Sequence, residues 1–299
     1  MYVFRIHIRP RGGQAGIEET FAYCLRQKIL GVGWRTDSNE STKDWEQYFR
    51  EASEIHDNLQ VCKYLKKWVS SGDLVWTRDS NGNYYLARVI SGWEYLVTEE
   101  AIEKDIDVAN VFRVEFQKVE IDMVPGKIVA CFRASRTIQE IADHNAREYS
   151  KFLWNYLTKT STYEIESGNE LSIFTMLDDE ETEDLFFLYL QSKGWFVMPN
   201  SRKKDTMSYE FYVVNPETSE IALTQVKTGD TFINKDDYSD TSKKVLLFQT
   251  NDLYEGENLK HLVCVSPEEI LKFIESAMSW LPEAIRHKIE IGRSLSKKQ

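Results

Sequence analysis

Several things are scarce in this chain of 299 residues. Only 6 Pro and 14 Gly are present, too few for a collagen-like or Pro/Gly-rich disordered chain. The four cysteines, Cys24, Cys62, Cys131 and Cys264, stand far apart with no C-x-x-C pair. Neither a disulfide framework nor a zinc site built on cysteine pairs is therefore expected. No run approaches eighteen apolar residues, so no membrane-spanning helix and no membrane partner are expected. Residues 1–8 alternate apolar and polar side chains and read as a strand, without the long apolar core of a signal peptide. A reducing cytoplasm is the compartment this predicts. Positive charge is short as well: 37 Lys+Arg face 48 Asp+Glu, a net charge of −11. That balance argues against bulk, sequence-independent nucleic-acid binding, which calls for a basic surface.

What is present is globular. Hydrophobic residues make up 42% and aromatics 13%, and the length suggests about two domains. Residues 1–136 read as short strands and helices, with helical patterns over 17–28 and 58–69. A hairpin is expected where 73–77 and 84–90 flank Asp79-Ser-Asn-Gly82-Asn, a turn-forming run. Residues 111–119 alternate again, and a small mixed barrel is the natural closure for such strands. Residues 137–157 read as a bridging helix and 160–169 as a polar linker, so 137–170 joins the two parts. The rest, 171–299, runs helix, several strands, helix. An acidic run at 178–184 opens the first helix, where negative charge suits the dipole. Ser266-Pro267-Glu268-Glu269 opens the last as a capping box with Pro in the first turn. The fold class expected is α/β (α+β overall).

The residues that carry chemistry lie in the second half. Glu210 opens one predicted strand, and Gln225 and Lys227 close the next. Side chains alternate along a strand, so Gln225 and Lys227 share a face. Adjacent strands are about 4.8 Å apart, which puts Glu210 within reach in a suitable register. A carboxylate, an amide oxygen and the Val226 carbonyl form a hard oxygen set suited to Mg²⁺. Lys227 can stabilise a pentavalent phosphate or orient the attacking water. Glu183, on the preceding helix, can complete the shell. The plain alternative is a solvated strand-end lysine beside an edge carboxylate.

This pattern resembles the PD-(D/E)xK nuclease superfamily and, within it, the Mrr-like restriction endonucleases. There a Q-x-K replaces the acidic-x-K, and a helix supplies a glutamate. The resemblance spans roughly 171–275 and rests on Glu183, Trp195-Phe-Val, Glu210 and Gln225-Val-Lys227. It implies Glu183, Glu210, Gln225 and Lys227 as catalytic residues. The metal, Mg²⁺ or Mn²⁺, would sit on Glu210, Gln225 and the Val226 carbonyl. The family more often carries Asp at the first metal position, and Asp205 competes with Glu210 for that role.

The first half resembles the PUA-like domains, the class that includes EVE and YTH readers. The residues that carry this are Gly31-Val-Gly33-Trp34, Gly72-Asp-Leu-Val-Trp76, Tyr85-Leu-Ala-Arg88-Val and Val124-Pro-Gly126. The resemblance implies a site that sandwiches a flipped or single-stranded base between aromatic walls. Trp34, Trp76 and Trp93 are the candidate walls, with Arg11 or Arg88 near phosphate. Core packing is the competing role for each tryptophan. Together the two resemblances imply a Mg²⁺-dependent DNA endonuclease of restriction or antiphage defence, with the front domain reading a modified base. DNA is then the partner, a homodimer suits double-strand cutting, and other defence proteins are further partners. Two alternatives stay open. A small nucleotide signal bound in the front domain would switch the nuclease on, or a catalytically degenerate chain would serve as a binding module. Acidity is uneven: residues 1–150 hold 20 Lys+Arg and 23 Asp+Glu, against 17 and 25 in the remainder. The nuclease-like half thus carries most of the negative charge.

Overall fold

The computed structural model describes residues 1–9, 12–38, 40–133, 136–165, 173–198 and 209–296. Arg11 and Asp205, both candidate site residues, lie outside the described residues. Contacts divide the chain into two compact units, Met1–Val124 with Ile128–Leu171, and Pro125–Lys127 with Ser172–Lys298.

The first unit contains β1 (Val3–Ile6), α1 (Ile17–Gln27), β2 (Ile29–Val32), β3 (Thr42–Lys43), α2 (Trp45–Ile55), α3 (Gln60–Trp68), β4 (Leu74–Arg78), β5 (Tyr84–Val89), β6 (Glu94–Leu96), α4 (Glu99–Glu103) and β7 (Asn110–Val119). After α5 (Gly126–Cys131) come β8 (Ile138–Glu140) and α6 (His144–Thr158). The strands form one mixed sheet in the order β3-β6-β7-β5-β4-β1-β8, with β2 paired to β7. The path has no pairing between its end strands among the described residues, so the expected small barrel is not closed. The β4–β5 hairpin forms where the turn residues predict. Asp79 Oδ1 accepts from the N–H groups of Asn81 (2.9 Å) and Asn83 (2.8 Å), and Gly82 takes φ +84°.

The segment 137–157 differs from expectation. Residues 138–140 are a strand paired antiparallel with β1, Phe4 opposite Glu140. The helix begins only at His144, where the Asp143 carboxylate caps the Ala146 N–H at 2.8 Å. Local periodicity runs through both pieces, and only a partner more than 130 residues away separates them. Inside this unit Trp76 is fully buried. Its Nε1–H donates to Ser150 Oγ of α6 (2.9 Å), and that hydroxyl in turn donates to the Ala146 carbonyl (2.6 Å).

The second unit contains α7 (Ile173–Met176), α8 (Asp179–Ser192), β9 (Phe196–Val197), β10 (Phe211–Asn215), β11 (Glu220–Lys227), β12 (Ile233–Asn234), β13 (Lys244–Gln249), β14 (Tyr254–Glu255), β15 (Leu262–Val265), α9 (Pro267–Ala277) and α10 (Glu283–Ser296). Its five-stranded sheet runs β15-β13-β11-β10-β9. The β9–β10–β11 pairs are antiparallel, and the β11–β13 and β13–β15 pairs are parallel. Period 2 sorts the side chains onto two faces. Phe211, Val213, Ala222, Val226, Leu246 and Phe248 pack with Leu185, Phe186 and Tyr189 of α8 and with Ile270, Phe273 and Ile274 of α9. Leu223, Val245 and Leu247 point the other way and pack with Ile233 and Tyr238. The capping box read from the sequence forms, Ser266 with Glu269 on α9, and the acidic run that opens α8 holds a second one, Asp178 with Glu181. Among the described residues no helix is long and apolar enough to cross a membrane.

Candidate functional site

The β10–β11 ladder decides the geometry of the sequence-predicted site. Phe211 lies opposite Thr224 and Asn215 opposite Glu220, and the Glu210 N–H donates to the Thr224 carbonyl at 2.7 Å. Glu210 thus sits just before the first ladder pair, beside the end of the neighbouring strand that carries Gln225. Both then lie on the Leu223–Tyr238 face of the sheet, with Lys227 one step along. Gln225 is buried (4% exposed) and its Nε2 donates to Glu210 Oε1 at 2.7 Å. The same amide nitrogen donates to the Val226 carbonyl at 3.3 Å. Lys227 Nζ lies 3.7 Å from the same Glu210 oxygen, with 42% of its side chain exposed. Glu210, Gln225, Lys227 and the Val226 carbonyl are thus brought together at the strand ends.

A hard cation suits this donor set. One nitrogen of the Gln225 amide bridges two oxygens, Glu210 Oε1 and Val226 O, so these oxygens converge on a single point. The planar amide also carries an oxygen, and exchanging its two ends changes neither shape nor volume. Glu210, Gln225 and Val226 can therefore present three hard oxygens to one ion. Among the described residues no three of His, Cys, Asp and Glu cluster as they would around a metal. A site made of one carboxylate, one amide and one carbonyl lies outside such a pattern.

Glu183 is placed differently. It is half-buried on α8, the helix that covers the opposite face of the sheet. One α8 carboxylate that reaches the residue after β11 is Asp179, whose Oδ1 accepts from Thr228 Oγ1 at 2.7 Å. Sequence reasoning missed three more neighbours. Tyr238 is buried on the site's face of the sheet, its phenol pushed up to about 12 by burial, with the carboxylates of Asp237 and Glu210 adding to the effect. It is therefore a neutral donor at pH 7. Gln249, the register partner of Lys227 on β13, is fully buried. Its Nε2 donates to Gly229 O (2.8 Å) and Thr231 O (3.0 Å), while its Oε1 accepts from Asn251 N (2.5 Å) and Leu253 N (3.0 Å). Thr250 Oγ1 accepts from Gly229 N at 3.0 Å. These bonds fasten the loop that follows Lys227. A buried strand-end glutamine is visible in Leu246-Leu-Phe-Gln249, but its partners are not.

The first unit holds a separate cavity of about 480 Å³, lined in part by His7, Arg9, Trp34, His56, Val61 and Asp107. Of the proposed aromatic walls, Trp34 lines it. Trp76 lies in the core, bonded to Ser150, and Trp93 lies elsewhere. The Trp93 indole donates to Asn110 Oδ1 (3.0 Å) and meets Trp45 edge-on, with ring centroids 4.9 Å apart. Arg88 faces Glu115 at 3.7 Å, also away from the cavity. Trp34 has φ +61°, a left-handed conformation that costs a non-glycine residue roughly 1–2 kcal/mol. The surroundings hold it there. Tyr48 Oη donates to the Trp34 carbonyl (3.2 Å), Asn110 Nδ2 donates to the Gly33 carbonyl (2.7 Å), and His56 Nε2 bonds the Arg35 carbonyl (2.9 Å). Gly31 is sterically required by the backbone opposite it, and Gly33 leaves room for the Asp107 carboxylate. A Cβ on Gly31 would lie 2.2 Å from the Asn110 carbonyl oxygen, and one on Gly33 would lie 2.2 Å from Asp107 Oδ2. His7 is pulled down to about 4, first by burial and then by Arg9, Arg78 and Arg5, so it is neutral at pH 7. It accepts from Arg9 Nε through Nε2 at 3.3 Å.

No protein-family model matches this chain, and no curated protein matches it.

Proposed function

We propose that this chain is a metal-dependent endodeoxyribonuclease of the Mrr-like type, serving restriction or antiphage defence, whose first unit reads a base. The observation that carries this reading is the convergence of Gln225 and Lys227 on one oxygen of Glu210, at the end of paired strands. Glu210, Gln225 and the Val226 carbonyl would hold Mg²⁺ or Mn²⁺. When bound, the ion would polarise the scissile phosphate and acidify a water for attack. Lys227, reaching into solvent from the same face, stabilises the charge that builds on the phosphate oxygens or orients the attacking water. The Tyr238 phenol, neutral beside Glu210, keeps a hydrogen-bond donor on that side of the site. Double-strand cutting needs two such sites, which a homodimer would supply. The −11 charge then has a role: non-specific DNA affinity is weak until a specific contact is made.

A second reading draws on the same bonds. Glu210 already accepts from an amide and faces an ammonium group, which is how a metal-free binding module would also look. One set of measurements separates the two. As an endonuclease, the purified protein nicks plasmid DNA in Mg²⁺ or Mn²⁺, and Lys227→Ala abolishes nicking without lowering Tm. Persistent nicking by Lys227→Ala would overturn the assignment. Absence of any Mn²⁺ binding by calorimetry would favour the module.

A further inference from the structure

The first-unit cavity has a chemistry more specific than an aromatic clamp. We propose that it selects guanine. In this arrangement the Asp107 carboxylate accepts from the N1–H and N2–H₂ donors of the base, and the Trp34 indole lies against the ring face. The inference rests on the reading of this unit as a base reader.

Three observations support it. The cavity, at about 480 Å³, falls in the range of roughly 300–1,000 Å³ typical of small-molecule sites. Its aromatic wall, Trp34, is kept in a left-handed backbone conformation by bonds from Tyr48 and by the neighbouring Gly33–Asn110 bond. Strain retained in this way clusters at ligand-binding sites. Asp107 lies against bare backbone, where side chains are missing. A Cβ on Gly12 would meet Asp107 Oδ2 at 2.5 Å, and one on Gly33 would meet it at 2.2 Å. Glycine at both positions therefore gives the carboxylate its place on the cavity wall. Arg35, next to Trp34 in the chain, pairs with Asp105 at 2.9 Å, and His56 bonds the Arg35 carbonyl.

An ionised carboxylate is acceptor-only and pairs best with two parallel N–H donors. Guanine alone among the four DNA bases presents two adjacent donors on its pairing edge. Adenine and cytosine each set one amino donor beside a ring-nitrogen acceptor, which would face carboxylate lone pairs. Thymine offers one N–H between two carbonyls. Arg9, exposed at the same cavity and bonded to the neutral ring of His7, supplies a cation for the attached phosphate. The guanine can come from a free nucleotide or from a base turned out of a strand, and the chemistry is shared.

The test is calorimetric titration of the full-length protein, without metal, using GMP, IMP, AMP, CMP and TMP. A parallel arm uses single-stranded oligonucleotides carrying one guanine or none. GMP or the guanine oligonucleotide should bind at least about tenfold more tightly than its counterparts, the size expected of a good bidentate pair. IMP, which lacks only the 2-amino group, should lose most of that advantage, and this comparison needs no variant. Asp107→Asn should erase the preference with Tm unchanged. Binding of GMP alone identifies a free nucleotide, and binding of the oligonucleotide alone identifies a base in a strand. Equal affinity for all bases, no binding in either arm, or an undiminished preference in Asp107→Asn overturns the proposal. Repeating the titration with Lys227→Ala keeps it separate from cleavage: a failed nuclease assay leaves guanine binding standing, and the reverse holds too.

Discussion

Glu210 lies just before the first pair of the antiparallel ladder, Phe211 opposite Thr224, and the Gln225 amide donates to its Oε1 over 2.7 Å. A neutral donor thereby occupies the place where a cation would gather the surrounding oxygens. Gln225→Glu sets two carboxylates face to face. Without metal, repulsion should lower Tm by a few degrees, which about 1 kcal/mol corresponds to in a domain of this size. With Mn²⁺ the same variant should gain more in Tm than the wild type, because two carboxylates hold the ion more tightly. Thermal scans with and without Mn²⁺ check both halves, and a loss of Tm that Mn²⁺ does not restore would argue against a cation site.

The two tryptophans of the first unit should respond oppositely to substitution. Trp76 is fully buried and bonded to Ser150, so Trp76→Ala should cost about 3–5 kcal/mol, read from urea unfolding. Trp34→Gly removes a half-buried ring but also relieves a left-handed backbone strain of about 1 kcal/mol. Its net cost should be well below that of Trp76→Ala, while ligand binding in the cavity is lost.

Lys288 on α10 is buried and donates to both oxygens of Glu181, at 2.7 and 3.0 Å. Glu181 also accepts from the Asp178 N–H at 2.8 Å, so one carboxylate ties the start of α8 to α10. Lys288→Met should cost about 3 kcal/mol because it leaves that carboxylate short of its partner. The double variant Lys288→Met/Glu181→Leu should recover part of the loss, and a double-mutant cycle in urea measures how much.

His7 imposes a pH dependence of known sign. Its folded pKa is near 4 against 6.5 for the free side chain, so the unfolded chain binds the extra proton first. Its contribution is complete above about 6.5, falls as pH drops, and is gone below about 4. His7→Asn should therefore flatten the decline in urea midpoint across that window relative to the wild type. Parallel declines in the two proteins would show that His7 is not held neutral.

Much of the candidate constellation is legible in the sequence because it depends on local rules. The period of two places Gln225 and Lys227 on one face. The short turn at 215–220 returns Glu210 to them, aided by Asn215, whose Oδ1 accepts from the Glu217 N–H at 3.0 Å. The acidic run likewise marks the start of α8, and the capping box that of α9. What escapes the sequence depends on distant partners. β8 is a strand only because β1 pairs with it, and Gln249 matters only because β13 lies beside β11. That Trp34 lines the cavity while Trp76 and Trp93 pack elsewhere depends on distant partners too. Composition gives their number, whereas burial depends on α6, on Asn110 and on the backbone near Asp107. Glu183 shows the limit on a helix: the spacing is readable, but the side of the sheet that α8 covers is not.

The four hydrogen bonds of Gln249 join two stretches, Gly229–Thr231 and Asn251–Leu253, which the Asn251 amide also links by donating to the Gly229 carbonyl at 3.0 Å. One buried amide makes them a single opening unit. Amide protons in both stretches should therefore exchange with deuterium at a common rate, and Gln249→Ala should uncouple them. Looseness in the loop after Lys227 would then arise from the loss of one buried amide on the neighbouring strand.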